Sequence, residues 1–168
     1  MTEQQLMQIY QDTVHPLYGY MAKRTGGNRA VTEDIVQEVY LRALGAWKLK
    51  AVPETPLAWL KQVARNILID QLRKKRWEHK SEASSDPAGG SGTADSQFES
   101  LELFLAITSL GRKKARILEA FYYDGMNVRE IAAEMALSAR AVEGYLRRAR
   151  LALKSLLPDS KSNGGSHA

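Results

Sequence analysis

The sequence predicts an all-α protein: two small helical domains joined by a flexible linker, the C-terminal one a helix-turn-helix. Three observations predict it. Apolar residues recur at three- and four-residue spacing through most of the chain, and no stretch alternates apolar and polar as a half-buried strand would. Residues 81–97, "SEASSDPAGGSGTADSQ", are small, polar and acidic with no basic residue, the composition of a tether. Residues 128–153, "VREIAAEMALSARAVEGYLRRARLAL", read as two short helices around a tight corner, the second studded with arginine. The expected division is an N-terminal module over 1–80, the linker over 81–97, a C-terminal module over 98–157 and a disordered tail over 158–168.

In the first module, Leu6, Ile9, Tyr10, Val14, Leu17, Tyr18 and Met21 repeat at helical spacing. Pro16 lies inside that run, where a missing amide donor and a bulky ring should kink or break the helix. "TGGN", residues 25–28, is a break. Thr32 is the expected cap of the next helix, with Glu33 and Asp34 in its first turn, where acidic groups meet the positive end of the dipole. Ile35, Val36, Val39, Tyr40, Ala43 and Leu44 give that helix its apolar face. Pro53 and Pro56 bracket a loop, and Thr55 before Pro56 is a start signal for a long helix reaching about Trp77 along Leu57, Leu60, Ala64, Ile67, Leu68 and Leu72. In the second module, 98–109 and 113–123 read as helices, the latter ended by Asp124 and Gly125. Asn127 with Glu130 makes a capping box for a helix at Val128, and Ser138 caps the one after the corner.

The totals exclude several classes. The chain has 168 residues and a formal charge of +5, a modest basic excess that suits a polyanionic partner. There is no cysteine, hence no disulfide, thiolate metal site or cysteine nucleophile, which accords with the cytoplasm. No apolar run approaches the roughly 20 residues that span a bilayer, so no membrane insertion is expected. His15, His79 and His167 show no ligand spacing, and no serine sits in a nucleophile elbow. Asp34 and Glu38 share a helix face, but a solvated or docking strip explains them better than an acid–base pair. Neither an enzyme nor a metal or cofactor is expected.

The corner carries the clearest chemistry. Two helices joined by three or four residues cross steeply, and Ala132 is small where they should touch. Val142 faces back into that contact, and Ile131, Met135, Leu137, Leu146 and Ala149 complete a small core. The opposite face of the second helix carries Arg140, Arg147, Arg148 and Arg150, with Lys154 beyond, as a helix entering a major groove would. A solvated arginine face on an ordinary hairpin has the same pattern. Ala136 stands where such corners want glycine, at a cost on the order of 1 kcal/mol. Gly144 costs about 1 kcal/mol relative to alanine in a helix interior. Either the helix backbone approaches DNA closely there, or the site tolerates drift.

A second basic surface lies in "ARNILIDQLRKKRWEHK", residues 64–80, where Arg65, Arg73, Lys74, Lys75 and Arg76 gather near Asn66, Gln71 and Trp77. Trp47 and Trp59 flank the proline-bounded loop upstream. Cations beside rings suit single-stranded or distorted DNA, by phosphate neutralisation and base stacking. The same tryptophans could equally fill a core. Asp34, Gln37, Glu38, Leu41 and Arg42 form one exposed strip, either solvated or a docking face for a protein.

Three stretches, "EDIVQEVYLRAL", "PLAWLKQVARNILIDQLRKKR" and "VREIAAEMALSARAVEGYLRRARLALKSLL", together resemble the signature segments of bacterial sigma factors of the extracytoplasmic-function (ECF) group, in the family's order and spacing. The resemblance covers roughly residues 5–157. It implies a protein that binds core RNA polymerase and directs it to particular promoters. It implies docking on the polymerase through Asp34, Gln37, Glu38, Leu41 and Arg42. Minus-ten DNA would be opened and read through the loop between Trp47 and Pro56 and through Trp59, Asn66, Asp70, Arg73, Lys74 and Arg76. The minus-thirty-five element would be read as duplex by Ser138, Arg140, Glu143, Gly144, Arg147 and Arg148. It further implies that the acidic linker lies near the polymerase's RNA exit path, that an anti-sigma partner exercises control, and that the protein works in the bacterial cytoplasm.

Three departures from the family pattern stand out: Gly111 where proline is frequent, Ala136 in place of the corner glycine, and Glu143, Gly144 and Tyr145 as an unusual recognition surface. The rival reading, a stand-alone helix-turn-helix regulator, accounts for 128–153 and leaves the first module without a purpose.

Overall fold

A computed structural model describes residues 2–81 and 92–157, with side chains described over 2–78 and 96–157. These residues form helices and no strand: α1 (Glu3–Arg24), α2 (Arg29–Leu49), α3 (Pro56–Ser81), α4 (Gly92–Ser109), α5 (Arg112–Tyr122), α6 (Val128–Glu134) and α7 (Ala139–Leu156). They divide into two compact units, Met1–Glu102 and Leu103–Ala168. The tail over 158–168 and most of the expected linker, 82–91, lie outside the described residues. Residues 92–97, also read as linker, instead begin α4.

In the first unit α1, α2 and α3 each pack on the other two. Leu17, Met21, Ile35, Val39, Ala43, Leu60, Ala64 and Leu68 are fully buried between them. Burying each leucine- or isoleucine-sized side chain contributes about 1.5–3 kcal/mol, and this core holds the helices together. Thr2 and Gln5 form a capping box that starts α1. Pro16 does not break the helix: α1 continues unbroken to Arg24, anchored after the proline by buried Leu17 and Met21.

The start of α2 corrects the expected cap. Asn28 is the N-cap, its side chain accepting from Val31 N at 3.1 Å, and no acidic residue lies in the first turn. Thr32 is buried one turn in, where its hydroxyl donates to the Asn28 carbonyl at 2.7 Å and meets the Thr25 hydroxyl at 2.7 Å. The helix starts earlier because Gly26 (φ 62°) and Gly27 (φ 75°) turn the chain sharply enough for Asn28 to cap. Gly26 has a second reason. A Cβ there would stand 2.6 Å from Ser100 Cβ, so only glycine admits the close approach of α4. Asn28 Nδ2 donates to Gln97 Oε1 at 3.2 Å in the same place.

In the second unit α7 packs on both α5 and α6. Its core holds Ile107, Ile117, Leu118, Ile131, Ala132, Val142, Leu146, Ala149 and Leu153, with Met135 and Leu137 packed at the edge. Gly111 precedes α5 with φ 91°, a backbone that proline, locked near −65°, cannot adopt. That conformation is the physical content of the departure at this position.

Candidate nucleic-acid interface

The corner forms as its sequence dictates. Asn127 accepts from Arg129 N and Glu130 N at 3.0 Å, and the Glu130 carboxylate accepts from Asn127 N at 2.7 Å. Ser138 Oγ accepts from Ala141 N at 3.1 Å and starts α7. Ala136 lies between them at φ 50°, the left-handed conformation that favours glycine. Leu137 N donating to Ala132 O at 2.9 Å closes the turn that this conformation permits.

Arg116 of α5 braces the corner. Its Nη1 bonds Asp124 at 2.9 Å, its Nε donates to Glu134 Oε1 at 3.1 Å, and its Nη2 bonds the same oxygen. Burial opposes the charge on Arg116, but the hydrogen bonds it donates to Glu134 and Asp124 outweigh it and raise its pKa above the ordinary arginine value. The group is cationic at every working pH.

With Val142, Leu146, Ala149 and Leu153 turned inward, α7 presents Arg140, Glu143, Arg147 and Arg148 to solvent. Arg140, Gly144, Arg147 and Leu151 follow one another at three- and four-residue steps along the outer line, ending in an apolar side chain 65% exposed. Arg150, which the sequence placed on the same face, is diverted. Its Nε donates to the Tyr122 hydroxyl at 2.8 Å, and its guanidinium lies over Phe121 and Tyr122.

The first unit carries its basic surface at the end of α3. Asn66, Asp70, Arg73, Lys74 and Arg76 are all exposed, and Trp77 beside them is 75% exposed. The two upstream tryptophans separate. Trp47 is 4% exposed, a core residue of α2, so it supplies no open face for a stacked base. Trp59 is half-buried with its ring centroid 5.5 Å from that of Trp47, so the buried ring supports the accessible one. The loop after α2, through Lys50, Ala51 and Val52, borders an open groove shared with Gln5, Gln8 and Ile9 of α1.

The strip on α2 is where the pattern put it. Asp34, Gln37, Leu41 and Arg42 are exposed and Glu38 is half-exposed, while Ile35, Val39 and Ala43 on the other side are fully buried. Arg42 Nε bonds Glu38 Oε1 at 2.7 Å, holding a neutral pair beside the Asp34 carboxylate, which has no ion-pair partner among the described residues. Leu41 is 64% exposed in the middle of this strip. Tyr40, on the flank, meets the Thr13 hydroxyl at 2.8 Å; burial pushes its phenol above the ordinary value, against the effect of that bond.

Tyr145, which the sequence already placed on the recognition surface, has the Arg148 guanidinium 4.9 Å from its ring centroid. One residue absent from the sequence-based set joins it: Lys113, with Nζ 5.5 Å from the same centroid. Lys113 gave no sequence signal, because it comes from another helix.

Among the described residues no helix is long and apolar enough to cross a membrane. The sigma-70 region 2 profile matches residues 9–78, and the sigma-70 region 4 profile matches residues 100–153. The chain is 30% identical over 157 residues to the ECF RNA polymerase sigma factor SigL of Mycobacterium tuberculosis, spanning 90% of this chain and 88% of SigL. It is 29% identical to SigM of Bacillus subtilis, spanning 89% of this chain and 93% of SigM. A solved structure of the sigma factor RpoE with the anti-sigma factor NepR from Bartonella quintana is similar over 95% of this chain and 98% of that one, at 19% identity and a TM-score of 0.46.

Proposed function

Since the chain belongs to the ECF sigma factors of bacterial RNA polymerase, we propose a division of labour among its surfaces in promoter-specific initiation. The protein binds core RNA polymerase and directs transcription initiation at promoters. The observation that carries this reading is that the region 2 and region 4 profiles match in order, and each falls on a unit with an exposed basic helix. A stand-alone helix-turn-helix regulator is not favoured, because residues 9–78 match a segment such a regulator has no use for.

In our reading the α2 strip of Asp34, Gln37, Glu38, Leu41 and Arg42 docks on core polymerase. It combines an exposed carboxylate with an exposed leucine, a mixture that suits a protein partner better than DNA. The end of α3, through Asn66, Asp70, Arg73, Lys74 and Arg76, meets the melted minus-ten element, and Trp59 offers the ring that Trp47 supports. Capturing a base there costs a few kcal/mol of unstacking, which phosphate contacts offset. Ser138, Arg140, Glu143, Gly144, Arg147 and Arg148 face the minus-thirty-five duplex. Residues 1–80 then act as region two and 98–157 as region four.

The protein acts by binding, with no reaction of its own, in the bacterial cytoplasm, and an anti-sigma factor holds it inactive. Run-off transcription with core polymerase on a genomic promoter library tests the reading. Promoter-specific transcripts sharing one motif are expected; activity independent of this chain would refute it.

A further inference from the structure

Two side chains of the second unit converge on Tyr145. The Arg148 guanidinium lies 4.9 Å from its ring centroid and Lys113 Nζ lies 5.5 Å from it. Arg148 belongs to α7 and Lys113 to the first turn of α5, so one ring gathers cations from two helices. Gly144 completes the arrangement. A Cβ at that position would stand 3.3 Å from Arg148 Nη1 and 3.8 Å from its Cζ. Glycine therefore leaves the guanidinium room to fold back along its own helix, over the residue four positions earlier.

Two consequences follow from charge and reach. Like charges gathered at one ring repel each other, and among the described residues neither Lys113 nor Arg148 has an ion-pair partner. The pair is set for an anion from outside. An arginine that reads a base edge extends away from its helix into the groove. Arg148 instead lies back against α7, and its companion is a lysine, a point charge suited to phosphate.

We propose that Lys113 and Arg148, positioned by Tyr145 and Gly144, clamp a backbone phosphate of duplex DNA, so that Arg148 supplies affinity and register while base choice falls to Arg140, Glu143 and Arg147. This rests on the reading of α7 as the helix that meets the minus-thirty-five duplex. Phosphate contacts fix orientation without carrying sequence information. The glycine is then explained by the fixed seat of one arginine, and its helix-propensity cost of about 1 kcal/mol by the gain in preorganisation.

The test uses holoenzyme assembled from core polymerase and the full chain, on the promoter that the wild-type protein selects from the library. Affinity is measured across a salt series, and the selection is repeated with each variant. Lys113→Ala and Arg148→Ala should each weaken binding about tenfold. Each should flatten the plot of log K against log salt by about 0.9 and still return the wild-type minus-thirty-five motif. Tyr145→Phe should behave as wild type, whereas Tyr145→Leu should weaken binding. Gly144→Ala should weaken binding when Arg148 is present and change nothing in the Arg148→Ala background. The clamp is overturned if Arg148→Ala makes one motif position indifferent to base identity, if both salt slopes are unchanged, or if Gly144→Ala acts equally in both backgrounds. Failure of the sigma reading is a separate result: wild-type holoenzyme would then select no promoter at all.

Discussion

Arg116 on α5 grips Glu134, the last residue of α6, through Nε and Nη2 on a single carboxylate oxygen, and its Nη1 holds Asp124 at 2.9 Å. The pair reaches across 18 residues of sequence and fixes the short α6 against α5 just before the corner. Arg116→Ala should cost about 1 kcal/mol, because the partners are partly exposed but share one guanidinium. Urea unfolding checks it: the loss should shrink in high salt, and Arg116→Lys should fall between wild type and alanine.

Ala136 is the one non-glycine residue of positive φ among the described residues. Removing its Cβ relieves strain of about 1 kcal/mol, against a smaller gain in unfolded-state freedom. Ala136→Gly should raise the urea midpoint. A lowered midpoint would mean that the corner draws more from the alanine methyl than the backbone loses.

Trp47 and Trp59 touch, yet their substitutions should diverge. Trp47→Ala opens a cavity in the first core and should cost about 3–5 kcal/mol. Trp59→Ala, at a half-buried ring, should cost about 1–2 kcal/mol. Promoter melting, followed by permanganate reactivity of unpaired thymines, should fall in the Trp59→Ala protein beyond what its stability explains. Trp59→Phe should restore it. Equal stability losses for the two alanine variants would contradict this division.

Leu41→Ala and Glu38→Lys change exposed positions and should leave the melting temperature within about 2 °C of wild type. In our reading both should lower affinity for core polymerase, by roughly tenfold for the charge reversal. Fluorescence anisotropy of labelled protein titrated with core enzyme measures this. Unchanged binding would return the strip to solvent.

The sequence carried the local chemistry of this fold well and its long-range contacts poorly. The capping box at Asn127 and Glu130, the Ser138 cap, the positive φ at Ala136 and the inward line of Val142, Leu146 and Ala149 depend on neighbours within a few residues, so spacing exposes them. The start of α2 at Asn28 was hidden by an equally good local candidate, Thr32, which tertiary packing buries instead. The Asn28–Gln97 bond spans 69 residues within the first unit, and nothing in the acidic composition of 81–97 announced it. The same holds at the candidate site. The arginine row on α7 was legible. The diversion of Arg150 to Tyr122 and the approach of Lys113 to Tyr145 join different helices, and no periodicity records them.

The central claim is that this chain confers promoter choice on core polymerase. Purified protein and core enzyme, combined at moderate ionic strength without an inhibitor, should form a stoichiometric complex on gel filtration. That complex should start transcripts at a defined set of promoters sharing paired minus-thirty-five and minus-ten elements. A chain that elutes apart from the core enzyme, or a complex whose start sites match those of core alone, would contradict it.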